Sequence, residues 1–212
     1  MRILATRRLS LDGVHVLQFG RFLDARGYFC EPFRRSVLDA HPETGFLKDV
    51  RFPQQNESYS HAGTVRGLHF QWNPCMGKLV RTLNGQMVDV LLDVRKGSPT
   101  FGKAIMYDMP ARHTDSSGEW IWAPPGLAHG NFFEEDSRIE YMCSGEYSPG
   151  CEAGISPLAP DIDWSLCEPS LKRRFDRLLH GSPLISGKDR EACTVEQWAA
   201  DTRSEHFIYG RV

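Results

Sequence analysis

Residues 78–94 read KLVRTLNGQMVDVLLDV, and the fold class follows from this stretch. Two runs rich in strand-forming residues, 78–83 and 86–94, flank Asn84-Gly85, a dipeptide favoured in two-residue β-hairpin turns, so we predict a hairpin here. Many short strands in succession are typical of an all-β sandwich or barrel and not of an α/β protein. Further strand-like runs separated by turn residues occur at 64–70, 103–109, 119–123, 130–134 and 138–147.

Helical patterns occur only towards the two ends of the chain. Residues 32–40 predict a short helix. In residues 169–180 apolar side chains recur every three or four positions and Gly181 follows, which predicts an amphipathic helix ending at that glycine. Residues 194–200 predict another short helix with Thr194 as its N-cap.

Domain organisation follows from where the strand patterns stop. At 212 residues the chain has the length of one large domain with an appendage, since a domain averages roughly 150 residues. We therefore expect residues 1–164 to form a barrel domain, and residues 165–212 to form a partly helical C-terminal extension packed on that domain.

Composition and charge exclude several functional classes. The chain is 41% hydrophobic and 25% charged, values typical of a globular protein, and its net charge of −2 argues against nucleic-acid binding. No apolar run approaches the roughly 18 residues of a membrane span, and the N-terminus lacks the apolar core of a secretory signal. The six cysteines include no Cys-x-x-Cys pair. We expect a cytoplasmic protein with reduced thiols and no membrane partner.

Functional groups are dense in residues 54–58 and 64–71, which read QQNES and TVRGLHFQ. Strict strand alternation places His69 on the same face as Gly67 and places Arg66 on the opposite face. A barrel interior that accepts a histidine beside a glycine has room for a ligand.

A second segment, residues 123–130 (APPGLAHG), resembles the Pro-x-Gly-x-x-His half of the cupin signature. In cupins this turn brings a histidine, here His129, into the mouth of the barrel. Metal-binding cupins also carry a His-x-His pair, whereas Gly67 and Gln71 stand two positions from His69. Two lone histidines are too few for an ordinary transition-metal site, so we predict no metal.

Over residues 20–165 the chain resembles the dTDP-4-dehydrorhamnose 3,5-epimerase family. The resemblance implies a cupin-type jelly-roll barrel, a double-stranded β-helix, that binds a nucleotide-diphosphosugar and needs no metal or organic cofactor. Five blocks match in order, namely DARGYFCE (24–31), RGLHFQ (66–71), GKLVR (77–81), DVRKGSPTFG (93–102) and PPGLAHG (124–130).

The chemistry that the resemblance implies is inversion of configuration next to a ketone. A 4-keto group acidifies the hydrogens on C3 and C5 of the sugar, and inversion requires a base on one face and an acid on the other. The resemblance implies that His69 is the base and Tyr141 the acid. It also implies that Asp189 orients His69 and that Lys78 stabilises the enolate oxygen.

The resemblance assigns further residues to substrate binding. Arg66 and His129 correspond to groups beside the diphosphate and the enolate, and Gln54, Asn56 and Tyr147 to contacts with the sugar or the nucleotide. Arg26 and Glu31 lie in an arm that, in this family, crosses to a partner subunit and holds the base. The resemblance therefore also implies a homodimer with a swapped N-terminal arm.

Some positions depart from the family pattern and leave alternatives open. Glu146 replaces an aromatic residue, Asn131 replaces an apolar one, and extra residues separate Trp164 from Asp189. The first alternative is an epimerase that inverts only C3 or only C5 of a dTDP-, CDP- or GDP-linked 4-keto sugar. The others are a noncatalytic nucleotide-sugar binding protein and a metal-dependent cupin oxygenase or isomerase.

Overall fold

A computed structural model describes residues 1–212 as an antiparallel β-barrel with short helices at its periphery. The predicted all-β jelly-roll class is confirmed. The strands are β1 (Ile3–Arg8), β2 (His15–Gly20), β3 (Phe22–Asp24), β4 (Gly27–Phe29), β5 (Gln54–Ser60), β6 (Val65–Gln71), β7 (Lys78–Asp93), β8 (Ala104–Ala111), β9 (Ser117–Ala123), β10 (Leu127–Phe133), β11 (Ser137–Cys143) and β12 (Glu152–Gly154).

The strands form two faces that share the long strand β7. Its first half lies between β9 and β11 in a sheet of order β1-β2-β9-β7-β11-β5, and its second half lies between β8 and β10 in a sheet of order β12-β6-β10-β7-β8. The predicted hairpin at Asn84-Gly85 is wrong, because β7 continues through these residues. Gly85 has a φ of 87° and allows the strand to bend from one sheet into the other.

An apolar core fills the space between the two sheets. Alternate residues of β7, including Val80, Met87 and Leu91, point into it, together with residues of β2, β8, β9, β10 and β11. Asp89 interrupts this apolar series on β7 and is itself completely buried. The interior is therefore apolar at most positions and polar in one region, which is where the candidate site lies.

The outer face of each sheet is covered by helical segments. The helices are α1 (Arg35–Ala40), α2 (Pro169–His180), α3 (Gly187–Arg190) and α4 (Val195–Ala200), with 3₁₀ turns at Pro42–Leu47 and Thr202–His206. Leu38 and Leu47 pack against the first sheet. Phe175, Trp198 and Phe207 of the C-terminal segment pack against the second sheet.

Two of the three helices predicted from sequence agree closely with the structure, whereas the helix predicted at 32–40 begins only at Arg35. Helix α2 has the predicted bounds and is followed by Gly181 as its C-cap. Helix α4 begins after Thr194, whose hydroxyl accepts from the backbone N–H of Gln197 in a capping box. None of the helices reaches the length and hydrophobicity that crossing a bilayer requires.

A short hairpin, β3–β4, projects from the barrel and pairs with no other strand. Its apolar side chains are unusually exposed, at 54% for Phe22, 48% for Leu23 and 66% for Phe29. A single copy of the chain therefore leaves an apolar surface open to water at this hairpin.

Candidate active site

The main cavity lies at the polar mouth of the barrel and has a volume of about 600 Å³. A side chamber of about 200 Å³ adjoins it, and the two cavities share His69, Lys78 and Tyr141 in their walls. Volumes of this size are ordinary for small-molecule sites. The structure thus brings three of the four predicted catalytic side chains to one shared wall, and Asp189, the fourth, lines the main cavity.

His69 and Asp189 form a hydrogen-bonded pair. The ring Nε2 of His69 lies 2.7 Å from Oδ1 of Asp189. Burial opposes ionisation of Asp189, but the hydrogen bond and charge of His69 outweigh it, so the pKa of this carboxyl lies below its ordinary value. An ionised carboxylate only accepts hydrogen bonds, so Nε2 donates, and in the neutral form of the ring Nδ1 keeps a free lone pair.

The strand that carries His69 does not alternate strictly, and the predicted placement of Arg66 on the opposite face is wrong. Both Arg66 and His69 line the main cavity, although they are three positions apart on β6. Opposite them on β10, Asn131 pairs with Arg66 and His129 with His69, so β6 holds one extra residue between these pairs.

Gly67 makes this irregularity possible. Its φ of 109° is one that side chains rarely adopt, and a Cβ on it would lie 2.6 Å from the Cα of Gly130. The freed backbone N–H of Gly67 donates to Oδ2 of Asp189 at 3.1 Å. The irregular strand therefore turns two side chains into the cavity and also anchors the carboxylate of the His69 pair.

Asp189 reaches the barrel from the C-terminal segment. Helix α3 is capped by Ser186, whose hydroxyl accepts from the backbone N–H of Asp189 at 3.1 Å, so the cap fixes the backbone at Asp189. The preceding loop is tied to β6 because Val65 donates to the carbonyl of Leu184 at 3.0 Å. The tail thus places this residue beside a histidine 120 positions earlier in the chain.

Tyr141 projects from β11 in the first sheet, whereas His69 belongs to the second sheet. Tyr141 pairs across the strands with Asn56, whose side chain also affects the pKa of the phenol. The pKa of the Tyr141 phenol is raised above its ordinary value, mainly by burial. Asn56 lowers this pKa, but by less than burial raises it. The phenol is therefore protonated at neutral pH and able to donate.

Lys78 is the one cation that both cavities share. Its ammonium lies 5.9 Å from the centre of the Tyr141 ring and forms no salt bridge with a carboxylate. Burial lowers the pKa of Lys78, and the nearby groups of Cys143, Asp89 and Glu152 oppose that shift. A half-buried ammonium that forms no salt bridge is suited to stabilise a negative oxygen on a ligand.

His129 is held by a second carboxyl that the sequence reasoning missed. Its Nε2 lies 2.7 Å from Oδ1 of Asp89, and both residues are buried. The signal was present in the sequence, because Asp89 is a lone carboxyl within the apolar run VDVLL. An acidic residue inside such a run is rarely solvated and needs a partner inside the protein.

The predicted sugar and nucleotide contacts line the side chamber or the rim of the cavity. Gln54 accepts from the backbone N–H of Tyr147 at 2.7 Å and donates to Asn56 at 3.0 Å. The Tyr147 hydroxyl donates to Glu152 at 3.0 Å, and Lys188 donates to the same carboxylate at 2.7 Å. Glu152 and Lys188 were not predicted from sequence.

Arg26 and Glu31 do not reach this cavity within their own chain. Arg26 lies at the tip of the β3–β4 hairpin, exposed, and pairs with Asp24 at 2.6 Å. Glu31 contacts Arg34 and the N-terminal amine. Neither residue lines the main cavity or the side chamber.

Each of the two histidines of the cavity is paired with a carboxylate. His69 is paired with Asp189, and His129 with Asp89. No group of three or more His, Cys, Asp or Glu side chains is placed to hold a metal ion.

Comparisons with known proteins agree on one family. The sequence model of dTDP-4-dehydrorhamnose 3,5-epimerase matches residues 8–197. The dTDP-4-dehydrorhamnose 3,5-epimerase of Methanothermobacter thermautotrophicus is 38% identical over 162 residues, which cover 75% of this chain and 83% of that protein. The enzyme of the same name from Pseudomonas aeruginosa is 34% identical over 188 residues, covering 87% and 92%.

Solved structures give the same result. A dTDP-6-deoxy-D-glucose-3,5-epimerase from Legionella pneumophila, in complex with dTDP-4-keto-L-rhamnose, has a TM-score of 0.76 and 29% identity and covers 96% of this chain and 98% of its own. A 3'-monoepimerase from Streptomyces bikiniensis, in complex with dTDP-quinovose, has a TM-score of 0.72 and 29% identity and covers 89% and 87%.

Proposed function

The chain belongs to the dTDP-4-dehydrorhamnose 3,5-epimerase family and is an isomerase, and from this premise we propose that His69 and Tyr141 together invert carbons of a dTDP-4-keto-6-deoxyhexose. One observation carries the assignment of roles. An imidazole with a free lone pair and a protonated phenol line the same cavity from two different sheets. A sugar ring between them meets a base on one side and an acid on the other.

The proposed reaction begins with removal of a proton next to the ketone. Nδ1 of His69 takes the proton, the C–H electron pair moves into a carbon–carbon double bond, and the ketone becomes an enolate. The negative charge of Asp189 stabilises the imidazolium that forms. The ammonium of Lys78 and the ring of His129 stabilise the enolate oxygen.

The second step returns a proton to the other face of the same carbon. The phenol of Tyr141 donates it, the enolate collapses to the ketone, and the configuration is inverted. The phenolate then regains a proton from water, and His69 releases its own. The raised pKa of Tyr141 favours this step because it keeps the phenol protonated until the carbanion forms.

The proposed substrate is tested by incubating the protein with dTDP-, CDP- and GDP-linked 4-keto-6-deoxyhexoses in deuterium oxide. We expect proton NMR to show deuterium at C3, at C5 or at both in the dTDP sugar. Labelling of a single carbon would identify a single-site epimerase. Binding of all three sugars without label at any carbon would contradict the proposed chemistry and favour a noncatalytic binding protein.

Lys78 is expected to set the alkaline limit of activity. Because burial lowers its pKa, the ammonium is lost on raising the pH before it reaches the ordinary value of 10.5, and kcat/KM falls as the cation disappears. In Lys78→Arg the guanidinium stays charged throughout the measured range, so the alkaline fall is expected to move upward or vanish between pH 6 and 10. The measurement is a kcat/KM profile against pH.

A second lysine offers a matched control for this profile. Lys188 lies on the rim and its pKa is raised by its hydrogen bond to Glu152, so Lys188→Arg is expected to leave the alkaline fall where it is. Tyr141 cannot cause that fall, since its own pKa is raised above 10. An unshifted profile in Lys78→Arg would contradict the role of the Lys78 charge.

We further propose that the nucleotide and diphosphate bind along the rim. Gln54, Asn56 and Tyr147 line the side chamber, and the exposed guanidinium of Arg66 lies at the edge of the main cavity. Residues 1–164 and 165–212 act as one unit in this proposal, because Asp189 belongs to the extension.

We also propose a homodimer in which the β3–β4 hairpin enters the partner's site. The exposed Phe22, Leu23 and Phe29 support this, as does the position of Arg26 away from its own cavity. Sedimentation equilibrium is expected to give a dimer of the 24.1 kDa chain, and Phe29→Asp is expected to yield monomers. A wild-type monomer with full activity would contradict the swapped arm.

All six cysteines are free thiols in the structure. Unpaired cysteines are usual in reducing compartments, and this supports our proposal that the enzyme works in the cytoplasm.

A further inference from the structure

Three buried side-chain polar atoms of the protein have no hydrogen-bond partner, namely Nε of Arg21, Oδ2 of Asp89 and Oδ1 of Asn131. Unpaired buried polar atoms are rare in folded proteins, and each needs an explanation. Two of the three lie on neighbouring strands, because Asn131 on β10 pairs directly with Asp89 on β7. The unpaired atoms are therefore concentrated at one point of the barrel.

Asn131 belongs to the wall of the main cavity, whereas Asp89 does not line it. Asn131 is only 4% exposed, yet it lines the cavity two positions beyond His129 on the same strand. Its amide makes no hydrogen bond with any protein group, and on its other side Arg66 is already engaged with Ser60 at 2.9 Å and with the carbonyl of Tyr59 at 3.1 Å. The side-chain amide of Asn131 is therefore left without a partner in the protein, and its carbonyl oxygen is buried.

The chemistry of the pair indicates what kind of group it would bind. Asp89 Oδ2 and Asn131 Oδ1 are acceptors and need a donor, and a carboxyl oxygen disfavours a phosphate. An amide both donates and accepts, and a hydroxyl does the same. A neutral hydroxyl is therefore the best match, and an anion is the worst.

We propose that Asn131 is a specificity-determining residue that hydrogen-bonds a ring hydroxyl of the hexose. This inference rests on the proposed function, because a 4-keto-6-deoxyhexose linked through C1 offers only two hydroxyls, those on C2 and C3. The contact with Asn131 would also fix the orientation of the ligand. The hexose lies beside Asn131, and the diphosphate lies away from it, towards the cationic rim at Arg66 and Lys188.

The test uses binding, so that it does not depend on catalysis. The ligand is dTDP-6-deoxyglucose, which has no ketone and cannot react, together with its 2-deoxy and 3-deoxy derivatives. Isothermal titration calorimetry with the wild-type protein is expected to show about tenfold weaker binding of one deoxy derivative, the factor expected for one hydrogen bond. In Asn131→Leu, a substitution of similar size, the parent sugar is expected to bind as weakly as that derivative.

Two outcomes would overturn the inference. One is wild-type protein that binds all three sugars equally well. The other is an Asn131→Leu variant whose affinity falls by the same factor for all three sugars, because that result would indicate a structural role for the amide. Thr82→Val is the control for loss of a buried polar group, because Thr82 lies on β7 outside the cavity and donates to Met109 at 2.6 Å. Its affinities are expected to equal those of wild type.

The same experiment separates this inference from the proposed function. If the wild-type protein binds none of the dTDP sugars, the proposed substrate class is wrong, and the role of Asn131 is rejected with it. If the wild-type protein binds the dTDP sugars, and Asn131→Leu discriminates between the parent and the deoxy sugars as the wild type does, only the role of Asn131 is rejected.

Discussion

His69→Ala is expected to abolish incorporation of solvent deuterium into the sugar at both C3 and C5. The variant lacks the imidazole that is hydrogen-bonded to Asp189, which is the proposed proton acceptor. A positioned base contributes roughly 10²–10⁴-fold to a rate, and no exchange can precede the loss of the C–H proton. The measurement is proton NMR of the dTDP-4-keto-6-deoxyhexose in deuterium oxide.

Two further variants make this result specific. Asp189→Asn keeps the shape of the side chain but removes its charge, so exchange is expected to slow strongly without disappearing. His113→Ala, at an exposed position, is expected to exchange at the wild-type rate. Exchange at the wild-type rate in His69→Ala, with an unchanged thermal unfolding curve, would show that another group is the base.

Tyr141→Phe is expected to separate exchange from inversion. The variant keeps His69, so the proton is still removed and deuterium still enters the sugar from the side of the imidazole. It lacks the phenol on the other sheet, so the carbon is reprotonated with retention, and formation of the inverted sugar falls by roughly 10²–10⁴-fold. The measurement determines the configuration of the product and its deuterium content in the same sample.

The control for this variant is Tyr59→Phe, because Tyr59 is exposed and its hydroxyl donates to Asp136, outside the cavity. It is expected to invert the sugar at the wild-type rate. If Tyr141→Phe forms the inverted product as fast as wild type, a different acid must serve the second face. If it loses deuterium incorporation as well, the phenol is needed for the first step, and the assignment of one role to each residue is wrong.

The sequence predicted the fold class because strand periodicity and turn residues are local properties. It was wrong at Asn84-Gly85, where a dipeptide typical of hairpins instead bends one long strand, β7, between two sheets. A two-residue pattern cannot distinguish these outcomes, since they differ only in which distant strands pair on either side. Here β9 and β11 pair with the first half of β7, and β8 and β10 with the second.

The candidate site was predicted in part, for a similar reason. His69 and His129 stand in recognisable local motifs, but the orientation of Arg66 depends on one extra residue in β6 that only the pairing with β10 reveals. Asp89 and Asn131 belong to the site through cross-strand contacts and not through any motif of their own. Residue types and spacing predict functional groups that stand in one segment of the chain. Contacts between strands depend on how the barrel assembles, and they cannot be predicted from such local patterns.

The distance along the chain between His69 and Asp189 has a consequence for biosynthesis. Proteins emerge from the ribosome N-terminus first, so the barrel strands are available to fold while the segment that carries Asp189, 120 residues after His69, is still being made. A polypeptide released early, or cleaved in the loop before helix α3, would keep the barrel strands and lack the carboxylate that orients the imidazole. We therefore expect full turnover only from chains that have been translated past Asp189.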